Sequence, residues 1–149
     1  NLPGFPMHQI VVKNETFTCA VNSIIIKLKG KTAHAGEPEK GINPTLAIAA
    51  IINQFNATIQ SDNTKENFCL ITPIYTKIGK KAYGVSAGAG EIHFTVRSDS
   101  NLQMKKIEVA LENTAQSIAK AYQLQCKIQW TQSFQANEND KTAVAFIKK

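Results

Sequence analysis

Hydrophobic and polar residues recur with two different periods along this chain, and these periods divide it into strands and helices. In one segment, Ile92, Phe94 and Val96 alternate with polar residues, and this period of two predicts a half-buried strand. Similar alternation, or a run of β-branched residues, predicts strands in residues 22–29, 68–78, 91–97 and 124–134.

Two further segments have the hydrophobic spacing and the start signals of helices. Asn43 is a favourable N-cap and Pro44 suits the first helical position, so a helix is predicted from there to about Gln60. Ser100 and Gln103 form a capping box before the second helix, in which apolar residues recur at helical spacing.

The first of these helices is apolar on nearly every side. Its apolar residues include Leu46, Ile48, Ala49, Ala50, Ile51, Ile52 and Phe55. A helix of this kind needs cover on two sides. Its own sheet would cover one side, and a partner chain or a neighbouring domain could cover the other.

The order of the predicted elements is β-α-β-β-α-β between residues 22 and 134. This order predicts an α+β fold of the ferredoxin-like type, a four-stranded antiparallel sheet with two helices on one face. Extended residues precede this unit, and residues 142–149 are predicted to start another helix.

Composition narrows the class of protein without assigning a function. The 149 residues are 43% hydrophobic and 19% charged, which suits one folded domain. No apolar run approaches the roughly 20 residues that span a bilayer, and no signal-like pattern opens the chain. The net charge of +6 comes from lysines spread along the chain, so neither a nucleic acid nor a membrane is an expected partner.

The cysteines bear on the cellular location of the protein, and the first residue bears on whether the chain is part of a longer one. Cys19, Cys69 and Cys126 are far apart and odd in number, which indicates reduced thiols and favours a cytoplasmic location. The chain begins at Asn1 rather than at methionine. We therefore expect it to be a segment of a longer protein, from which targeting residues could have been removed.

No complete catalytic apparatus is evident in the residues themselves. His8, His34 and His93 lie in separate predicted elements without the spacing of metal ligands, so no metal site is predicted in this chain. Residues 84–90 are rich in glycine, but they precede a strand rather than a helix, which argues against a phosphate-binding loop. These features alone leave two classes open, part of an enzyme or a free-standing ferredoxin-like ligand-binding or interaction module.

The loop before the first helix carries a more specific pattern. Residues 30–44 have the form G-K-x-A-H-A-x-x-P-x-x-G-x-N-P, and an alanine- and isoleucine-rich helix follows. This pattern resembles the dimerisation, or lid, domain of zinc metallopeptidases and amidohydrolases of the aminoacylase, carboxypeptidase G and indoleacetyl-amino-acid hydrolase types. The resemblance covers nearly the whole chain, and it implies the same ferredoxin-like fold.

The resemblance implies that the full-length protein is an enzyme that hydrolyses amide bonds of N-acyl amino acids or peptides. In such proteins a catalytic domain holds two zinc ions, or similar divalent metals, and the lid domain is inserted into it. The catalytic domain would then be missing from this chain. Residues 1–21 would be the segment that exits from it, residues 22–134 would form the lid domain, and residues 135–149 would be the segment that returns to it. A homodimer is also implied, and this chain alone is expected to bind no metal and to be inactive.

Two side chains match site residues of the family. His34 corresponds to a histidine that reaches across the dimer and stabilises the oxyanion in the partner's active site. Arg97 corresponds to an arginine that binds the carboxylate of the substrate. Without the resemblance, His34 could merely fill its loop, and Arg97 could pair with Asp99 or Glu91.

The sequence departs from the family at one position. Many relatives carry N-x-I-P starting thirteen residues before the arginine, and the asparagine contacts the substrate through its amide. Here residues 84–87 are G-V-S-A, and Gly84 offers only backbone groups. The stretch from Tyr83 to Gly88 looks more like the branch that acts on N-acyl amino acids than like the dipeptidase branch.

Overall fold

The structure is a computed structural model, and it describes residues 4–65 and 67–148. Its elements in chain order are β1 (Glu15–Thr18), β2 (Ala20–Lys29), α1 (Thr45–Ala57), β3 (Cys69–Ile78), β4 (Ala89–Ser98), α2 (Asn101–Ala121), β5 (Gln125–Phe134), β6 (Asn137–Asn139) and α3 (Lys141–Ile147). A short 3₁₀ turn, Pro38–Lys40, lies between β2 and α1.

The four long strands form one antiparallel sheet in the order β3-β4-β2-β5, so β3 and β5 are its edges. Both α1 and α2 pack on the same side of this sheet, where the core lies. The predicted α+β, ferredoxin-like arrangement is therefore confirmed. On the opposite side of the sheet, which we call its open face, the described residues of β2 and β4 are partly or fully exposed.

Alternate residues of the strands fill the space between the sheet and the helices. Ile24 and Ile26 of β2 and Phe94 of β4 are buried, while the residues between them face the open side. Phe55 of α1 is 0% exposed, and its ring centroid lies 4.8 Å from that of Phe94. This tilted aromatic pair fixes α1 on the centre of the sheet.

α2 begins directly after its predicted cap, Ser100, whereas α1 begins at Thr45, one residue after its predicted first residue, Pro44. Asn43 Oδ1 accepts a hydrogen bond of 2.9 Å from the backbone N–H of Thr45, and Ser100 Oγ accepts one of 3.2 Å from the N–H of Gln103. Each side chain satisfies a donor that the first helical turn leaves without a partner.

The end of α1 differs from the prediction. The helix ends at Ala57, whereas the hydrophobic pattern extends it to about Gln60. Gln60 instead forms an antiparallel bridge with Cys69, in which each backbone N–H donates to the other residue's carbonyl, at 2.9 and 3.0 Å. Pairing with the start of β3 thus replaces the last helical turn.

A second, small sheet joins the two flanking segments, and the sequence pattern did not predict it. β1 pairs antiparallel with β6, and Glu15 lies opposite Asn139. The ammonium group of Lys141 lies 2.7 Å from the carboxylate of Glu15, and its hydrogen bond and charge lower the pKa of that carboxyl. Thr16 Oγ1 donates to the carbonyl of Asp99 at 2.9 Å, so this sheet lies beside the end of β4.

α1 has a buried face and an outward face that is also apolar in part. Ile48, Ile51 and Phe55 are buried against the sheet, whereas Leu46 is 68% exposed and Ala49 is exposed. A single copy of the chain therefore leaves part of this helix uncovered, as its sequence pattern predicts.

None of the described helices is long and apolar enough to cross a membrane. All three cysteines are free thiols, and Cys69 is buried. Burial raises the pKa of the Cys69 thiol to about 11 and also raises the pKa of Cys126. Both thiols are therefore protonated and weakly nucleophilic at neutral pH.

Candidate functional site

The loop that carries His34 lies beside a second loop at one end of the four-stranded sheet. The first loop, residues 30–42, follows β2, and the second, residues 79–88, joins β3 to β4. The ladder between β2 and β4 ends with Lys29 opposite Ala89, and hydrogen bonds between the two loops continue it. The loops therefore extend the sheet beyond the ends of these strands.

Hydrogen bonds join the two loops on both sides of His34. His34 itself forms an antiparallel bridge with Val85 of the second loop. The N–H of Ala35 donates to the carbonyl of Gly84 at 3.0 Å. The N–H of Ser86 donates to the carbonyl of Ala33 at 2.9 Å. The backbone that carries the histidine is thus held immediately before and immediately after it.

The close approach of the loops depends on Gly88. An added Cβ at this buried residue would lie 2.5 Å from the backbone nitrogen of Thr32. We expect Gly88→Ala to force the loops apart and to lower the free energy of unfolding by about 1–3 kcal/mol, the usual cost of overpacking.

Gly84→Ala is the matched control for this prediction, because an added Cβ at Gly84 meets nothing within 4 Å. Urea unfolding of the wild-type chain and both variants measures the difference. Equal midpoints for wild type and Gly88→Ala would contradict the contact between the loops.

The imidazole of His34 is exposed, and its own loop holds one of its nitrogens. The N–H of Gly36 donates a hydrogen bond of 3.1 Å to Nδ1 of His34. Of the two tautomers of an uncharged imidazole, this bond favours the one in which Nδ1 accepts and Nε2 carries the N–H. Nε2 has no hydrogen-bond partner within residues 4–65 and 67–148, and it can donate to a group outside the loop.

Arg97 lies on the open face of the sheet, near the end of β4 and opposite Val21. Its side chain is exposed, and no carboxylate of the described residues lies within 4.0 Å of its guanidinium. The carboxylate of Glu91 lies instead 3.8 Å from the ammonium group of Lys27. Asp99 also forms no ion pair with the arginine. The guanidinium keeps its two-pronged donor edge available for a carboxylate.

The structure separates His34 from Arg97. Arg97 is level with Val21 at the start of β2, and His34 follows Lys29 at the other end of that strand. At roughly 3.3 Å per residue, Val21 and Lys29 are about 26 Å apart. The two candidate side chains therefore lie at opposite ends of the sheet in one copy of the chain.

A metal centre does not fit the described part of the chain, which contains no group of three or more His, Cys, Asp or Glu side chains suited to an ion. His93 lies on the open face, where its ring centroid is 5.0 Å from that of Tyr75. Its Nε2 is 3.9 Å from Glu91, which is beyond hydrogen-bond distance. The location of metal ions in another part of the protein remains a prediction.

These features define a class of domain, a ferredoxin-like unit that presents a histidine loop at one end of its sheet and, at the other, an arginine without a carboxylate partner among the described residues. Residues 20–123 match the peptidase dimerisation domain family. Because this match covers more than half of the chain, the chain belongs to that family. The resemblance found in the loop pattern is thereby confirmed.

Comparisons with individual proteins agree with this assignment. The chain is similar to N-acetylcysteine deacetylase of Bacillus subtilis, with 25% identity over 142 residues, and the match covers 95% of this chain and 37% of that protein. N-acetyldiaminopimelate deacetylase of Bacillus pumilus is 24% identical over 139 residues, covering 93% of this chain and 37% of that protein. The chain thus spans little more than a third of the length of these relatives.

A similar fold occurs in a solved structure of a dinuclear metal-binding peptidase of the M20 family from Bacillus subtilis. Its TM-score is 0.74 at 21% identity, and the match covers 97% of this chain and 35% of that one. At this identity the likeness shows a shared fold.

Sequence reasoning missed two residues that hold the histidine, Gly36 and Ser86. Gly36 falls at a variable position of the loop pattern, and its hydrogen bond to Nδ1 depends on how the loop turns. Ser86 lies 53 residues after Ala33, which it contacts. A serine in a glycine-rich loop gives no local signal of such a distant partner.

Proposed function

We propose that this chain is the dimerisation domain of a homodimeric enzyme that hydrolyses amide bonds of N-acyl amino acids or peptides. The similarity to deacetylases of N-acetylcysteine and N-acetyldiaminopimelate supports this substrate class. The metal ions, zinc or similar divalent cations, would belong to a catalytic domain outside this chain. Membership of the dimerisation domain family favours this proposal over a free-standing binding module.

The separation of His34 and Arg97 is the observation that carries the proposal. An N-acyl amino acid spans roughly 10 Å, because each chain unit adds about 3.5 Å. One copy of the domain, with the two side chains at opposite ends of β2, cannot place both on such a substrate. In a two-fold dimer, the His34 end of one copy can lie beside the Arg97 end of the other.

The position of the flanking segments supports the assignment of His34 and Arg97 of one copy to two different active sites. β1 and β6 pair next to the end of β4, at the same end of the sheet as Arg97. If these segments lead to a catalytic domain, as proposed for residues 1–21 and 135–149, Arg97 would serve the active site of its own chain. His34 would then serve the active site of the partner.

The geometry of each side chain suits its proposed role. The tautomer that Gly36 favours leaves the His34 N–H at Nε2, where it can donate to the carbonyl oxygen of the scissile amide. Such a donor stabilises the oxyanion that develops on that oxygen in the transition state. Arg97 would bind the substrate carboxylate with two parallel hydrogen bonds and so orient the amide.

The outward face of α1 and the edge strand β3 are the proposed dimer surface. Leu46 is 68% exposed, and Ile74 of β3 is also exposed. We expect Leu46→Asp to weaken the dimer strongly, because a buried carboxylate without a partner is costly. The fold should persist, since an acidic residue in the first turn of a helix is favourable.

Val109→Asp on α2 is the matched control, because Val109 is 58% exposed on the other helix. Sedimentation velocity over a range of concentrations measures both variants. Equal dimer affinity for Leu46→Asp and Val109→Asp would place the interface elsewhere.

Mixed dimers of the intact protein test the assignment of His34 and Arg97 to different copies. Two versions, His34→Ala and Arg97→Ala, are co-expressed with different affinity tags, and the heterodimer is purified through both tags. If each site combines His34 of one copy with Arg97 of the other, one of its two sites is intact. The heterodimer should then have about half the turnover of the wild-type dimer.

The two homodimeric variants, each purified alone, are the controls and should both be impaired. If His34 and Arg97 act within one copy, every site of the heterodimer lacks one of them. A heterodimer no more active than its parents would therefore rule out the shared site.

A further inference from the structure

Ser86 makes an unusual set of contacts with the residue before His34. Its Oγ accepts a hydrogen bond of 3.1 Å from the N–H of Ala33 and donates one of 3.3 Å to the carbonyl of the same residue. The backbone N–H of Ser86 also donates to that carbonyl at 2.9 Å. One residue of the second loop thus satisfies both backbone polar groups of Ala33.

The hydroxyl is needed for one of these contacts. Without the hydroxyl, the carbonyl of Ala33 would still accept a hydrogen bond from the backbone N–H of Ser86. The N–H of Ala33, in contrast, has only Ser86 Oγ as a partner among residues 4–65 and 67–148. Both residues are half-buried. Loss of the hydroxyl would therefore leave a partly buried donor unsatisfied, and such a donor favours a change of backbone conformation.

A change of backbone conformation at Ala33 would displace the imidazole of His34. The peptide before the histidine is held by Ser86, and the peptide after it is held by Gly84. The N–H that would lose its partner belongs to the peptide between Thr32 and Ala33. A small rotation of that peptide would carry His34 with it and move Nε2, at the end of the side chain, by more than it moves the backbone. A misplacement of about 1 Å can cost roughly a hundredfold in rate.

We propose that Ser86 is a positioning residue for catalysis, which holds the Nε2 N–H of His34 in the orientation needed for a carbonyl oxygen. This inference rests on the proposed function of His34. Ser86 touches no substrate in this proposal and acts only through the backbone of Ala33.

The experiment uses the intact protein and four variants, Ser86→Ala, His34→Ala, the double variant, and Ser117→Ala as a control on the exposed surface of α2. Ser86→Ala should lower kcat about 10- to 100-fold with little change in KM. Ser117→Ala should match wild type. In the His34→Ala background, the Ser86 substitution should cost nothing further, because the side chain that it positions is already gone.

Two outcomes would overturn the inference. One is a kcat for Ser86→Ala equal to that of wild type, and the other is an equal fold-loss from Ser86→Ala with and without His34, which indicates a general structural role. If Ser86→Ala does not fold, Ser86→Cys preserves the size with weaker hydrogen bonds and should give an intermediate loss that also vanishes without His34. Near-wild-type turnover of His34→Ala would instead refute the proposed function itself.

Discussion

Replacing His34 with alanine in the intact protein is expected to lower kcat about 100- to 1,000-fold. That factor is the usual cost of removing one oxyanion donor, roughly 3 to 4 kcal/mol of transition-state stabilisation. The substitution removes the Nε2 N–H, whereas the proposed contact of Arg97 with the substrate carboxylate would be left intact. KM should therefore change much less than kcat in steady-state assays on N-acyl amino acids.

The controls for this prediction concern fold and residue type. The variant should keep the circular dichroism spectrum, the oligomeric state and the metal content of the wild-type protein. His93→Ala removes another histidine, on the open face of the sheet, and should keep turnover within a few-fold of wild type. A His34→Ala enzyme as active as wild type would mean that this histidine only fills its loop.

Replacing Phe55 with alanine is expected to lower the free energy of unfolding of this chain by about 3–5 kcal/mol. Phe55 is 0% exposed, and its ring contacts Phe94 at the centre of the sheet. The substitution loses the transfer free energy of the ring and leaves a cavity between α1 and the sheet. Urea unfolding, followed by circular dichroism, measures the loss as a lower midpoint at a similar slope.

Phe134→Ala is the matched control, because it makes the same substitution at a residue that is 66% exposed at the end of β5. Its cost should be below about 1 kcal/mol, as for most surface substitutions. A similar loss for both variants, or none for Phe55→Ala, would show that α1 does not pack on the sheet through this ring.

The local pattern predicts the elements of the main sheet well, because the signals for them lie within each segment. Alternation in β4 and the caps at Asn43 and Ser100 involve residues a few positions apart. The pairing of β1 with β6 was missed for the opposite reason. Both segments are short and polar, and Glu15 finds its partner Asn139 only after the intervening chain has folded.

The candidate site divides in a similar way. The loop pattern around His34 and the strand that ends at Arg97 identified both residues from sequence, and their proposed roles came with the family resemblance. Their separation could not be predicted from the sequence pattern, because it depends on which strands pair and in which register. The hydrogen bonds of Gly36 and Ser86 that hold the histidine likewise depend on how two distant loops meet.

The sequence by itself determined the order of the four long strands and of α1 and α2, the helix starts to within one residue and the fold class, and the family resemblance of its loop pattern singled out His34 and Arg97. These follow from hydrophobic period, capping side chains and a loop pattern, all of which act over short distances along the chain. Only the tertiary structure decided that His34 and Arg97 lie at opposite ends of the sheet, and that both flanking segments leave beside Arg97. The reason is physical: antiparallel register and loop-to-loop hydrogen bonds join residues far apart in sequence, and no local pattern encodes the partner of each.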